Sequence, residues 1–192
     1  ITGILISEQA AGTFTLTGFY ERRARRILPA LFVVLLACLP FAWAWLLPSD
    51  LKAFARSLAA AAISLSNILF WRESGYFDTS SELKPLLHTW SLGVEEQYYM
   101  VFPLLLLGLA RWRPHWTPHV LWAGAALSLA LAQWAALHQP SLAFYLLPTR
   151  GWELLAGALL AYYHSHPVTR IPHAAALNQA GSLLGLAMVA YA

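Results

Sequence analysis

Apolar positions in this chain fall in long uncharged runs, not in alternation with polar ones. Residues 28–47 hold no Asp, Glu, Lys or Arg. As a helix, a run of that length measures about 30 Å, the hydrocarbon thickness of a bilayer. Residues 119–137 form a second such run, with His119 at its edge. Residues 58–71, 98–110, 154–163 and 174–192 form shorter or more polar ones. The period-two pattern of a transmembrane barrel is missing. The chain therefore reads as all-α: a polytopic integral membrane helix bundle with about six membrane-embedded segments.

Lys and Arg beside membrane segments favour the cytoplasmic side. Residues 7–27, read as a loop, carry four arginines and are placed inside, so residues 28–47 run outward to Pro48. Arg111 and Arg113 are placed inside as well. An odd number of crossings must separate Pro48 from Arg111, yet two apolar runs intervene, residues 58–71 and 98–110. A re-entrant element within residues 72–97 resolves the parity. Ser57, Ser64, Ser66 and Asn67 suit the first of those runs to packing against protein. Residues 1–6 read as the tail of an earlier apolar segment, and residue 192 lies inside the last run, so chain is expected on both sides.

Composition narrows the class further. Of 192 residues, 59% are apolar and 11% charged, against about 25% charged in an average soluble domain. That excludes a disordered chain, an ordinary soluble globule and a nucleic-acid-binding domain with a basic surface. The net charge of +3 reflects one cluster: Arg22, Arg23, Arg25 and Arg26 are four of the twelve basic residues. The single Cys38 forms no internal disulfide and reads as a small core residue.

Three stretches carry candidate chemistry. In a helix, Arg22 and Arg25 share a face, as do Arg23 and Arg26. Paired guanidinium forks clamp a diphosphate such as that of a nucleotide-bearing acyl donor; alternatively, the cluster anchors the chain on anionic lipid headgroups. His88 and Glu95, seven residues apart, lie on one helical face, while Glu95 and Glu96 diverge by about 100°. They suit proton transfer or the orientation of a sugar hydroxyl, or else mark an interfacial helix start with Trp90, Tyr98 and Tyr99 as belt aromatics. Thr149 reads as an N-cap, and Arg150 with Glu153 as an ion pair at a helix mouth or a substrate contact. The remaining histidines, His115, His119, His138, His164, His166 and His173, form no metal-ligand pattern, so no metal is expected.

Taken in order, these blocks resemble the acyltransferase-3 family of bacterial membrane O-acyltransferases, in its O-antigen and peptidoglycan O-acetyltransferase subgroup. The matching stretches run from Phe19 to Ala30 (Phe-Tyr-Glu-Arg-Arg-Ala-Arg-Arg-Ile-Leu-Pro-Ala), from Gly75 to Asp78 (Gly-Tyr-Phe-Asp), from Leu83 to Tyr99 around His-Thr-Trp-Ser-Leu-Gly-Val-Glu-Glu-Gln-Tyr, and from Pro148 to Leu154 (Pro-Thr-Arg-Gly-Trp-Glu-Leu). The resemblance implies that residues 1–192 are part of an acyltransferase membrane domain in the bacterial inner membrane. It implies transfer of an acyl group, usually acetyl from acetyl-CoA, to a hydroxyl of a cell-surface carbohydrate, with no bound cofactor. Its partners are then acyl-CoA, a carbohydrate acceptor and the bilayer, not nucleic acid. Arg22, Arg23, Arg25 and Arg26 would handle the donor, with His88, Trp90, Glu95, Glu96, Arg150 and Glu153 as pocket residues. The family's essential histidine is expected upstream of Ile1, and many relatives add a C-terminal extracytoplasmic hydrolase-like domain. The competing class is a non-enzymatic transporter or polysaccharide-export subunit, which often shows repeats with interrupted helices.

Overall fold

The computed structural model describes residues 2–74, 84–165 and 175–191. The Gly75–Asp78 block, His166, His173 and residues 75–83 of the span assigned to a re-entrant element lie outside them. The described residues fold into helices alone. They are α1 (Thr2–Ala10), α2 (Leu16–Trp45), α3 (Pro48–Ala62), α4 (Ser66–Glu73), α5 (Thr89–Trp112), a 3-10 turn at Pro114–Trp116, α6 (Thr117–His138), α7 (Pro140–Tyr145), α8 (Leu147–Ser165) and α9 (Ala175–Tyr191). Among the described residues two stretches are long and apolar enough to cross a membrane by length and composition, Leu16–Trp45 and Pro114–His138. Trp43 and Trp45 on the first and Leu127 and Leu137 on the second are more than two-thirds exposed, the outward apolar surface expected of lipid-facing helices.

The expected loop at residues 7–27 is instead two helices and a tight turn. α1 ends at Ala10 and Gly12, with a left-handed φ of 68°, turns the chain, while Thr15 caps α2 by accepting from the Gly18 amide at 3.3 Å. The four arginines therefore sit on the early turns of α2. Below them Phe19 joins a core with Leu5, Tyr98, Phe102, Leu106, Leu121 and Leu159; above them Leu31, Leu35 and Ala42 join a second core with Phe54, Ala61 and Leu86. The charged turn thus separates two apolar clusters.

The apolar run at residues 58–71 is not one helix. α3 ends at Ala62 and α4 starts at Ser66. Between them Ser64 has a φ of 58°, the Leu65 amide donates to the Ala60 carbonyl at 2.8 Å, and the Ser64 amide donates to Ala61 at 3.1 Å. That is a Schellman termination with serine where glycine is usual, so the chain carries backbone strain of about 1–3 kcal/mol at this point.

α6 and α8 pack closely. Ser128 Oγ donates to the Pro148 carbonyl at 2.7 Å and accepts from the Trp152 amide at 2.8 Å. A Cβ on Gly151 would come within 3.4 Å of that oxygen. Ser128→Ala is expected to remove the hydroxyl that ties α6 to the start of α8 and to cost about 0.5–1.5 kcal/mol, read as a lowered unfolding midpoint in detergent; an unchanged midpoint would refute this. Thr149 is not the N-cap of α8. It lies inside the helix, 1% exposed, and its hydroxyl donates towards the carbonyls of Leu142 and Leu146, fastening α7 onto α8.

Candidate functional site

The arginine cluster does not act as one face. Arg22 Nη2 meets both carboxylate oxygens of Glu8 at 2.8 and 2.9 Å, and Arg25 pairs with Glu21 one turn back at 2.8 Å. Both are exposed pairs, each worth at most about 1 kcal/mol. Arg26 is exposed and makes no ion pair among the described residues. Arg23 alone turns inward. Its Nη2 lies 3.1 Å from Glu96 Oε1, with the two side chains only 13% and 17% exposed, and its guanidinium carbon sits 3.5 Å from the centre of the Tyr99 ring. Glu96 and Tyr99, three residues apart on α5, present the carboxylate and the ring together.

α2 and α5 touch here through long side chains. Tyr20 donates its hydroxyl to the Met100 carbonyl at 2.8 Å, one turn from the ion pair. Between the helices lies a cavity of about 350 Å³ lined by Tyr20, Arg23, Ala24, Ile27, Leu28 and Leu31 from α2, Ala62, Ile63 and Ser64 from the α3–α4 break, and Glu96, Tyr99 and Met100 from α5. Its size falls in the range of small-molecule sites, roughly 300–1,000 Å³. Arg23 Nε is buried with no hydrogen-bond partner among the described residues. Arg23 thus lines a mostly apolar cavity with a guanidinium that the Glu96 carboxylate satisfies only in part.

A buried polar network holds the break beside this cavity. Gln97 donates to the Ser64 carbonyl at 3.1 Å and to Asn67 Oδ1 at 2.8 Å. Asn67, fully buried, donates to the Tyr145 carbonyl at 3.1 Å, and Ser66 donates to the Thr89 carbonyl at 2.8 Å. The carbonyl freed by ending α3 is therefore met by α5.

A second cluster forms where α5, α7 and α8 meet. The Trp90 ring lies 4.5 Å from Phe144 and 5.8 Å from Tyr145, and the Arg150 guanidinium carbon lies 4.9 Å from the Trp90 ring centre. Arg150 Nη2 donates to both oxygens of Glu153 at 3.0 and 3.1 Å. Of the expected pocket residues, the structure thus groups Glu96 with Arg23, and Trp90 with Arg150 and Glu153. It leaves His88, at the N-cap of α5, and Glu95, on α5, both exposed, with no hydrogen bond between them. Sequence reasoning did not single out Tyr20, Gln97 or Phe144, and it marked Ser64 only as suited to packing against protein. Gln97 and Tyr99 carried a signal in standing one and three residues after Glu96; Phe144 carried none.

Comparison with known proteins agrees with these blocks. The acyltransferase domain family matches residues 1–192. An uncharacterized protein of Haemophilus influenzae is 38% identical over 174 residues, which cover 86% of this chain and 70% of that protein. Peptidoglycan O-acetyltransferase OatA of Listeria monocytogenes is 29% identical, over 100% of this chain and 32% of its own length. O-acetyltransferase OatA of Staphylococcus aureus is 30% identical, over 84% of this chain and 27% of its own. The chain thus spans about a third or less of the two O-acetyltransferases. No solved structure matches it. Matched from end to end across the turn that bears Arg23, the helix that bears Glu96 and the helix start that bears Arg150, this chain belongs to the acyltransferase-3 family of membrane acyltransferases.

Proposed function

We propose that the protein to which this chain belongs transfers an acetyl group from acetyl-CoA to a hydroxyl of a cell-envelope carbohydrate, and that the α2–α5 cavity receives the thioester. One observation carries the reading: Arg23, alone of the four arginines, lines a cavity, with Glu96 orienting its guanidinium. The exposed Arg22, Arg25 and Arg26 hold the phosphates of the donor, since two of them give up only weak surface pairs to do so. Arg23 then donates to the thioester carbonyl oxygen, where negative charge develops as the acceptor attacks. The new ester C–O bond forms as the C–S bond breaks, and the hydroxyl proton ends on the CoA thiol. The base is the family histidine expected before Ile1.

Depth in the bundle supports a membrane-embedded reaction. Glu96 lies about 10 Å along α5 from Thr89 and about 24 Å from Trp112, with apolar sequence on α2 above it and on α5 below it. A charged pair at such a level is costly, and its usual reason is function. About six embedded segments in the bacterial inner membrane fit this arrangement. The interrupted α3–α4 is also the feature that favours the transporter reading.

Acetyl-CoA decides between the two. Purified full-length protein, given labelled acetyl-CoA and a soluble chitopentaose, is expected to release CoA thiol and label the saccharide. Neither release nor labelling would hand the lead to transport.

A further inference from the structure

The Trp90–Arg150 cluster is separated from the α2–α5 cavity by a single wall. Asn67 holds the Tyr145 carbonyl on one side, and through Gln97 it joins the carbonyl of Ser64, a cavity residue, on the other. The cluster therefore stands next to the cavity but offers different chemistry. Phe144 is 48% exposed, and the Glu153 and Arg150 side chains are 44% and 28% exposed. The rings of Trp90 and Phe144 lie 4.9 and 5.9 Å from the Arg150 guanidinium carbon. Arg150 spends only Nη2 on Glu153, which leaves the Nε and Nη1 donors without a partner among the described residues.

We propose that this cluster is the acceptor subsite, binding one pyranose ring of a neutral saccharide; the assignment rests on the acyltransferase reading above. A pyranose offers an apolar C–H face and a rim of hydroxyls that both donate and accept. Exposed aromatic rings take the face. Glu153 accepts from one hydroxyl, and the unused N–H groups of Arg150 donate to another. Charge separates this ligand from the donor: Arg150 and Glu153 sum to zero, so the cluster has no net attraction for phosphate, whereas on the early turns of α2 four arginines outnumber their carboxylate partners Glu8, Glu21 and Glu96. An ion pair at i,i+3 with this exposure adds little to stability, so fold maintenance does not explain its placement under two aromatic rings.

The test is steady-state kinetics of the full-length protein, with acetyl-CoA as donor and chitopentaose as acceptor. Phe144→Ala and Glu153→Gln are each expected to raise KM for chitopentaose about tenfold or more. They should lower kcat at saturating saccharide by less than about threefold, with KM for acetyl-CoA following kcat and not the saccharide. Phe144→Leu, which keeps apolar bulk but no ring, is expected to behave like Phe144→Ala, and Phe144→Tyr like the parent. If Phe144→Leu retains the parental KM for saccharide, the ring serves as an apolar anchor in the bilayer and the subsite is refuted. It is equally refuted if both variants leave that KM unchanged or raise the acetyl-CoA KM alongside it. A parent protein that releases no CoA in response to chitopentaose removes the enzyme reading and this subsite together, a result distinct from the other two.

Discussion

Arg23→Ala in the full-length protein is expected to reduce acyl transfer by roughly 100- to 1,000-fold, the effect of removing one donor from a developing oxyanion. The same change strands Glu96 as an unpaired, mostly buried carboxylate at the cavity wall. Breaking such a pair from one side costs about 3–5 kcal/mol, so a fall in activity alone would not separate chemistry from collapse. Arg23→Ala combined with Glu96→Gln makes the separation, because it removes both charges at once. Its unfolding midpoint in detergent should return most of the way to the parental value while acyl transfer stays lost. Arg25→Ala, which opens only an exposed one-turn pair, should move the midpoint by less than about 0.5 kcal/mol equivalent. Substantial transfer by the stable double variant would sink the role assigned to Arg23.

Gly93→Val is expected to be the most damaging small change in the chain. A Cβ there would lie 2.8 Å from Asn67 Oδ1 and 3.3 Å from both the Ser64 carbonyl and Ser66 Oγ. Asn67 has nowhere to go: it is fully buried and tied to Gln97 and Tyr145. The Ser64 carbonyl is backbone, held in place by the Schellman turn. A branched side chain at 93 must therefore drive α4 off α5, breaking a buried network whose members each cost about 1–3 kcal/mol when left unmet. Yield of folded protein from detergent-solubilised membranes should fall to background. Gly108→Val, on the same helix with nothing within 4 Å of its Cβ, should fold normally. Equal yields for the two would show that close approach at Gly93 is not what joins these helices.

What the sequence could tell was decided by how far each feature depends on distant chain. α6 was legible, at residues 119–137 against Thr117–His138, because an uncharged run bounded by Pro118 and Gln139 needs no partner to define it. The i,i+3 spacing of Arg150 and Glu153 gave their pair, and the 100° between Glu95 and Glu96 showed that only one could face inward. Which one it would be depended on where α2 packs, 73 positions earlier in the chain. The break at residues 63–65 was hidden for a different reason. It has neither glycine nor proline, and the strain at Ser64 is tolerated because Gln97 meets the carbonyl that the broken ladder leaves open. The arginine stretch misled because four arginines in five positions resemble a surface loop, whereas Thr15 and Gly12 set a helix start just ahead of them.

The Arg23–Glu96 pair also bears on how the protein is made. Its members are separated by 73 residues, which a ribosome adds in roughly 4–15 s at about 5–20 residues per second. Throughout that interval α2 has emerged with its inward-facing cation while the carboxylate that will neutralise it is still untranslated. The helix must wait at a shallower position, or with water around the guanidinium, until α5 arrives to draw it down. Final seating of the second helix is thus a late event of biogenesis, and the cavity between α2 and α5 comes into existence only when that assembly step is complete.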